Sequence, residues 1–222
     1  MNPTTNLILV DDTPAILRIV EKILEGVPDI QVIDTALTGT ALMEKLKQIE
    51  NSIKKVYVEF ILMDMIMHPM DGWETTRQVK KLYPHIKVIA FSSRDHPEAV
   101  QRSLRSGADG FLSKYHFSVE TLKSAIKQIR EGKKFFTYPD AENDRQIEER
   151  ADLLTLTPRE LALIQLLGEN LDHAGMAAQL QISEDTLAVF LKNIKRKLNV
   201  DTQEAIIKAA AHYLFYRKGA PD

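Results

Sequence analysis

Five polar residues follow apolar runs that have the length and composition of buried strands: Asp11, Asp12, Asp64, Ser92 and Lys114. The runs are LILV, FILM and VIAF, together with FL, which ends two residues before the lysine. The carboxyl ends of parallel strands meet at one edge of a sheet, and open α/β folds bind ligands at that edge. We therefore expect the five side chains to converge there.

Such a cluster has the composition of a site for a divalent cation and a phosphoryl group. Neighbouring carboxylates repel one another, and Mg²⁺ with oxygen ligands relieves this repulsion. Lys114 adds a positive charge and Ser92 a hydroxyl group, so the site would accommodate a phosphoryl group carried by one of the carboxylates. Asp and Ser also end strands for local reasons, because both favour turns. Five such residues after separate apolar runs favour the shared site.

Strand-like and helix-like segments alternate over residues 1–132. A predicted helix has Pro14 in its first turn and an apolar face at Ile16, Ile19, Val20, Ile23 and Leu24. Residues 31–36 add a strand to the four apolar runs, and residues 41–49, 73–82, 97–106 and 119–130 add four helices. Five strands alternating with five helices predict an α/β fold with a doubly wound parallel sheet.

Length and composition fit a two-domain protein of ordinary character. The 222 residues suffice for two domains, with a net charge of −2, 44% hydrophobic residues and 27% charged residues. The absence of cysteine excludes disulfides, thiol catalysis and Cys-ligated zinc, and it suits a reducing cytoplasm. No two histidines are three or four residues apart, so there is no helical metal-ligand pair. We expect no signal peptide and no membrane span.

The remainder of the chain is predicted to be a linker followed by a small all-α domain. Residues 133–152 are rich in acidic residues and poor in large aliphatic ones, which indicates a linker. Residues 153–222 predict four short helices, with start signals at Thr157 (paired with Glu160), Ser183, and Asp201 (paired with Glu204). The link QIS joins two of these helices tightly, which is typical of a helix-turn-helix.

Several motifs resemble those of bacterial two-component response regulators. LILVDD, ILMD followed by MDG, VIAFSS and GADGFLSK resemble a receiver domain over about the first 130 residues. LTPREL, ISEDTL and NIKRKLNV resemble the LuxR-type DNA-binding domain over about 60 residues of the tail. The chain is thereby identified as a member of the NarL/FixJ class, with a flavodoxin-like receiver. The implied partners are a sensor histidine kinase and double-stranded DNA, and the implied function is transcription regulation.

The resemblance also implies roles for the clustered residues. Asp64 would accept a phosphoryl group from the kinase, and Lys114 would pair with a phosphoryl oxygen. Ser92 would move toward the phosphate, with Phe111 as the aromatic switch residue. Mg²⁺ would be bound by Asp64 with two more carboxylates and one main-chain group: Asp11, Asp12 and the backbone carbonyl of Ile66. The chain would not be an enzyme beyond weak self-dephosphorylation.

The charge pattern of the tail allows DNA binding but does not require it. Residues 153–222 contain eight basic and eight acidic residues, so a general basic surface is not expected. Residues 186–199, however, carry four cations and no acid, which can neutralise phosphates. The candidate DNA-binding residues in this segment are Thr186, Val189, Lys192, Lys195, Arg196 and Lys197.

Departures from the family pattern keep alternatives open. Ala188 stands at the usual lysine of the recognition helix, Phe190 at a common histidine, and Gly175 at a usual acidic position. An output domain that has lost DNA binding and acts through protein contacts is therefore the alternative function. A third hypothesis is phosphoester hydrolysis at Asp64, for which His68 is the nearest candidate base.

A homodimer is expected from residues 205–216. Apolar residues nearly encircle this predicted helix, whereas packing on its own domain requires a single stripe. The second face would pair across a two-fold axis, as the resemblance implies, or pack on the receiver.

Overall fold

The structure is a computed structural model that describes residues 4–53, 56–95, 97–136, 156–167, 171–203 and 205–207. Its first part is built on a parallel sheet in the order β2-β1-β3-β4-β5-β6, which is the flavodoxin-like order with one added strand. The strands are β1 (Thr5–Val10), β2 (Ile30–Ala36), β3 (Phe60–Asp64), β4 (Lys87–Ser92), β5 (Gly110–Ser113) and β6 (Phe135–Phe136).

Helices cover both faces of this sheet, as the predicted doubly wound fold requires. They are α1 (Pro14–Leu24), α2 (Gly39–Asn51), α3 (Gly72–Leu82), α4 (Pro97–Arg105) and α5 (Val119–Arg130), with a short 3-10 turn at Lys114–His116. Successive strand residues point to opposite faces. Leu7 and Leu9 therefore pack in the apolar layer with α1 and α5, whereas Ile8 and Val10 pack in the layer with α2 and α3.

The strand count differs from the sequence prediction of five. Phe135 and Phe136 form a sixth strand, parallel to β5 and paired with Gly110 and Phe111. Phe135 and Phe136, which the sequence prediction placed in the linker, are thus part of the sheet. Gly110 permits this approach, because a Cβ there would lie 3.0 Å from the carbonyl oxygen of Phe135. The rest of the predicted acidic linker, residues 137–152, lies outside the described residues.

The C-terminal part contains α6 (Pro158–Leu167), α7 (His173–Gln179) and α8 (Glu184–Leu198). The predicted start of α6 is confirmed, because the Glu160 carboxylate accepts from the Thr157 amide (2.7 Å) and the Thr157 hydroxyl accepts from the Glu160 amide (3.3 Å). Ser183 caps α8 by accepting from the Thr186 amide at 3.2 Å. Sequence patterns did not identify Asp172 as the cap of α7. Its carboxylate accepts a hydrogen bond from the amide of Gly175, the third residue of that helix, at 2.8 Å.

The predicted start of the fourth helix pairs Asp201 with Glu204, and Glu204 lies outside the described residues. Next to Asp201, the hydroxyl of Thr202 accepts a hydrogen bond from the amide of Ala205 at 3.0 Å. Ile206 and Ile207 follow and are buried. The remainder of the predicted helix, and with it most of the segment expected to form the dimer, lies outside the described residues.

At the amino ends of the strands, the buried carboxylate of Asp109 contacts α3, β4 and the segment before β6. It accepts a hydrogen bond from Lys80 of α3 at 2.7 Å and one from the amide of Val88 at 2.9 Å. The ammonium groups of Lys87 and Lys134 lie 3.9 and 3.5 Å away. Burial raises the pKa of Asp109, but the hydrogen bonds from Lys80 and Val88 and the charge of Lys134 outweigh it, so the pKa is lowered.

The indole of Trp73 joins α3 to α4. Its Nε1 donates to the hydroxyl of Ser103 at 3.1 Å, and the guanidinium carbon of Arg102 lies 3.7 Å from the ring centroid. Arg102 also donates to Asp71, the cap of α3, at 2.9 Å. Among the helices in the described ranges, none is both long and apolar enough to cross a membrane.

Candidate functional site

The four receiver side chains that follow separate strands are brought to one edge of the sheet. Asp11 follows β1, Asp64 ends β3, Ser92 ends β4 and Lys114 follows β5, and each is at most 2% exposed. Asp64 pairs in register with Phe91, so Ser92 lies one residue beyond it on the neighbouring strand. The predicted convergence of these residues is therefore present in the fold.

Carboxylates dominate this edge. Asp11, Asp12 and Asp64 each offer an oxygen, and these oxygens lie within 4.8 Å of one another. Lys114 Nζ lies 2.5 Å from Asp11 Oδ2 and 3.3 Å from Asp64 Oδ1. When all are ionised, three carboxylates and one ammonium carry a formal charge of −2. An all-oxygen set with this charge fits Mg²⁺, and no other such group occurs in the parts of the chain that the structure describes.

Backbone amides orient two of these carboxylates. The amide of Thr13 donates to Asp11 Oδ1 at 2.9 Å, and the amide of Ile66 donates to Asp64 Oδ1 at 3.1 Å. Both are bonds from the second residue after the aspartate, so each turn after its strand fixes the preceding side chain. The residues that could hold a cation are thus positioned by local backbone geometry.

Gly72 closes the loop that follows Asp64. Its amide donates to the carbonyl of Met65 at 3.1 Å, and a Cβ at this position would lie 2.0 Å from the carbonyl oxygen of Asp64. A larger residue would therefore push the loop away from the end of β3. The His68–Pro69 peptide within this loop is cis. The MDG motif alone offers no physical reason for its glycine, and this close approach supplies one.

The region after Ser92 contains contacts that the sequence did not predict. The Ser92 hydroxyl accepts from the amide of Arg94 at 3.1 Å. Ser113, next to Lys114, donates to the carboxylate of Asp95 at 2.6 Å and so ties the loop after β4 to the end of β5. Phe111, the predicted switch residue, is fully buried on β5.

The predicted DNA-binding residues of α8 differ in their exposure to solvent. Val189, Lys192 and Arg196 are exposed at positions i, i+3 and i+7, opposite the buried Leu187 and Ile194. Thr186 is exposed at the helix start, where its hydroxyl lies 2.8 Å from that of Ser183, and Lys195 is half-buried.

Lys197 faces the interior of the domain instead. Its ammonium donates to the carboxylate of Glu160 at 2.7 Å, and the Glu160 side chain is only 4% exposed. Burial raises the pKa of Glu160, but the bonds from Lys197 and Thr157 outweigh it and lower that pKa. Lys197 thus joins α8 to α6. Sequence reasoning grouped Lys197 with the other cations of α8 as a DNA-binding candidate, because charge alone does not show which face of a helix is buried.

Comparison with known proteins places this arrangement in a family. The family model described as the response regulator receiver domain matches residues 7–127. A second, described as bacterial regulatory proteins of the luxR family, matches residues 154–210. The first match covers more than half of the chain, and the chain belongs to the response regulators. It is a regulator of the phosphoryl-accepting kind, with a receiver domain and a LuxR-type DNA-binding domain that serves transcription regulation.

Individual relatives agree over nearly the whole length. Response regulator protein VraR of Staphylococcus aureus strain Mu3 is 28% identical over 215 residues, covering 95% of this chain and 99% of VraR. A solved structure of RcsB from Salmonella typhimurium is 23% identical, covers 94% and 98% of the two chains, and has a TM-score of 0.52. An RcsB–DNA complex gives the same identity, coverage and TM-score. The RcsB structures support the fold.

Proposed function

We propose that Asp64 accepts a phosphoryl group from a sensor histidine kinase and that phosphorylation controls binding of the C-terminal domain to double-stranded DNA. The observation that carries this proposal is the position of Asp64, buried at the end of β3 beside Asp11, Asp12 and Lys114. The working division is a receiver over residues 1–132 extended by β6, a linker to residue 152, and an output domain over residues 153–222. The protein would act in the bacterial cytoplasm, where the DNA lies.

In this reaction a carboxylate oxygen of Asp64 forms a bond to phosphorus while the bond from phosphorus to the donor histidine nitrogen breaks. Lys114 pairs with a phosphoryl oxygen and stabilises the added negative charge. Asp11, Asp12, Asp64 and the backbone carbonyl of Ile66 would hold Mg²⁺. When bound, Mg²⁺ neutralises charge on the transferring group.

Ser92 and Phe111 would convert phosphorylation into a change of the receiver surface. In the structure the Ser92 hydroxyl accepts from the Arg94 amide, and a phosphoryl oxygen on Asp64 offers this hydroxyl an acceptor of higher charge. Movement of Ser92 pulls on the loop after β4, which the bond between Asp95 and Ser113 connects to β5. Phe111 lies on that strand, so its packing responds to the same change.

The output domain would bind an inverted repeat as a homodimer. Supporting this, residues 205–216 carry more apolar residues than one domain face requires, and RcsB has been solved as two dimers bound to two parallel DNAs. Two recognition helices one DNA turn apart would result. Sedimentation of the full chain should show a dimer that Leu214→Glu converts to a monomer. A fully dimeric Leu214→Glu variant would rule out this helix as the contact.

Two measurements on the full chain test the proposal. With acetyl phosphate and Mg²⁺, intact mass should increase by one phosphoryl group, and mapping should place it on Asp64. The phosphorylated chain should then retard DNA fragments from upstream of its own gene in a gel shift, more strongly at low salt than at high salt. Phosphorylation without DNA binding at either salt would instead favour an output domain that acts through protein contacts.

A further inference from the structure

A cavity of about 350 Å³ opens at the amino ends of β3 and β4, at the other end of these strands from Asp64. Its apolar side is formed by Leu46 of α2, Val58 before β3 and Ile86 before β4. Each of these three is at most 4% exposed, so this side of the cavity is part of the core. Cavities that bind small ligands measure about 300 to 1,000 Å³. The volume therefore suits a small molecule.

Aromatic rings form another side of the cavity. Tyr57 and His85 stack, with their ring centroids 6.0 Å apart and their planes 28° from parallel, and Tyr83 also lines the cavity. Four of the six large hydrophobic side chains that are exposed in the described part of the chain come from the connections before β3 and β4 or the helix end next to them: Ile53, Val56, Tyr57 and Leu82. A concentration of exposed apolar surface marks a binding site.

The charge at the cavity is negative. Glu50 is the only acid among the described residues that line it, and no lysine or arginine is among them. Glu50 Oε2 lies 3.5 Å from the hydroxyl of Tyr83. Burial, followed by the charge of Glu50, raises the pKa of Tyr83, so this hydroxyl stays neutral. In addition, α2 ends beside Glu50 with no basic residue in its last turn, and the C-terminal end of a helix favours a cation.

This composition selects one class of ligand. An anion would be repelled by Glu50 and by the end of α2. Mg²⁺ and Ca²⁺ prefer several oxygen ligands, whereas most of this cavity is aromatic or aliphatic. An alkylated ammonium ion combines a positive charge with apolar groups, and the faces of aromatic rings attract such ions.

We propose that the cavity binds a small alkylated ammonium ion, whose charge lies near Glu50 and the rings of Tyr57 and Tyr83 while its alkyl groups contact Leu46 and Ile86. The site is separated from the carboxylates around Asp64 by the length of β3. The receiver thereby has a second ligand site, which goes beyond the proposed phosphorylation and does not depend on it.

The test compares choline with its neutral carbon analogue, 3,3-dimethylbutanol, because the two have the same shape and differ in charge. The full chain is titrated with each probe and followed by NMR of its aromatic rings. Choline should shift the ring signals of Tyr57, Tyr83 and His85, and the neutral analogue should bind about tenfold more weakly. Equal affinity for the two probes, or choline without effect on these rings, would overturn the proposal.

Variants assign the binding to its residues. Glu50→Gln keeps the shape and removes the charge, so choline should bind about fivefold more weakly while the neutral analogue binds as before. Tyr57→Leu removes a ring at an exposed position and should weaken choline binding by about the same factor. Glu44→Gln, which removes an exposed carboxylate of α2 away from the cavity, is the matched control. Unchanged choline affinity in Glu50→Gln would contradict the site.

The source of the cation is tested separately. A lysine side chain of a partner protein presents a primary ammonium, which is strongly hydrated, so Nα-acetyl-lysine amide should bind at least about fivefold more weakly than choline. Equal affinity would assign the cavity to a protein side chain instead and overturn the proposal for a small ion.

Lys54 and Lys55 lie in the same connection, outside the described residues. The double variant Lys54→Gln, Lys55→Gln should bind choline within about threefold of the wild type, because exposed charges are screened by salt. Choline binding that appears only in this variant would show that the chain's own ammonium fills the cavity, and the proposal would fail. Phosphorylation by acetyl phosphate should be unchanged in every variant, so failure of this site and failure of the proposed function are distinguishable.

Discussion

Ionic clusters occupy opposite ends of the strands of the receiver sheet, and their charge balance is reversed. At the carboxyl ends, the carboxylates of Asp11, Asp12 and Asp64 lie together, and the ammonium of Lys114 pairs with Asp11 and Asp64. At the amino ends, the single carboxylate of Asp109 faces three ammonium groups: Lys80, Lys87 and Lys134. Both clusters contain buried aspartates at the ends of strands of the same sheet, so burial does not distinguish them.

The balance of charge separates a binding site from a structural link. Asp109 accepts bonds from Lys80 and Val88, and its pKa is lowered, so the folded protein already favours its ionised form. The carboxylates around Asp64 exceed the positive charge of Lys114, and a cation lowers the free energy of that arrangement. The excess of carboxylates around Asp64 therefore indicates a binding site for a cation. The excess of lysines around Asp109 indicates a contact that stabilises the folded protein.

The largest expected effect is on phosphorylation, when Asp64 or Asp109 is replaced by asparagine. Asp64→Asn should abolish phosphorylation by acetyl phosphate, because no neighbouring carboxylate has the same position at the end of β3. The matched Asp109→Asn variant should still be phosphorylated. Intact mass and site mapping provide the measurement. A phosphoryl group on Asp64→Asn, stable and mapped to another aspartate, would remove the distinction between the clusters.

Magnesium binding should depend on only one of the clusters. Asp12→Ala removes one of the three carboxylates and should weaken Mg²⁺ binding by about tenfold or more, since both charge and a ligand are lost. Asp109→Asn should leave the affinity unchanged. Isothermal titration calorimetry of both variants measures this, and equal affinities for wild type and Asp12→Ala would contradict the proposed site.

Stability should depend on the other cluster. Asp109→Asn should lower the free energy of unfolding by about 2 kcal/mol at pH 7, because three lysines lose a buried partner. A folded pKa below the ordinary 3.8 stabilises the protein above that pH, and this contribution is lost as the pH falls through the folded value. The difference between wild type and variant in urea denaturation should therefore narrow below about pH 3.8. A difference that persists at lower pH would contradict the ionic explanation.

The smallest effect concerns the lifetime of the phosphorylated state. Ile66, two residues after Asp64, cannot orient an attacking water by hydrogen bonding. Ile66→Asn should accelerate self-dephosphorylation about fivefold, the effect of one added hydrogen bond. Ile66→Val, which adds no polar group, should keep the wild-type rate. The rate of self-dephosphorylation is measured as release of inorganic phosphate. Equal rates for Ile66→Asn and the wild type would contradict the proposed effect of residue 66 on phosphate lifetime.

Much of the receiver could be predicted because its pattern is local. The apolar runs before Asp11, Asp64 and Ser92 correspond to central strands, and the topology of a parallel sheet then brings their ends together. The strand Phe135–Phe136 could not be predicted in this way. Two residues are too few to show a hydrophobic periodicity. Their pairing with β5 also relies on a close approach to Gly110, which has no Cβ to obstruct it.

The ionic partners were less accessible to sequence reasoning. Lys197 and Lys192 have the same charge and lie five residues apart, yet one bonds to Glu160 and the other is exposed. The Asp109 cluster joins residues from four separate segments of the chain, so no regular spacing of charged residues in the sequence predicts it. Prediction succeeded where backbone topology determines the contact and failed where tertiary packing selects the partner.

The placement of Trp73 gives the protein an intrinsic optical probe. It is the single tryptophan of the chain, and it follows Gly72, whose backbone packs against Asp64. Its indole contacts Ser103 and the guanidinium of Arg102, so α4 also determines its surroundings. All tryptophan emission therefore originates between the proposed phosphorylation site and the adjoining helix. Cation binding or phosphorylation at the proposed site should therefore change this emission, so that fluorescence would follow either event in real time without any label on the protein.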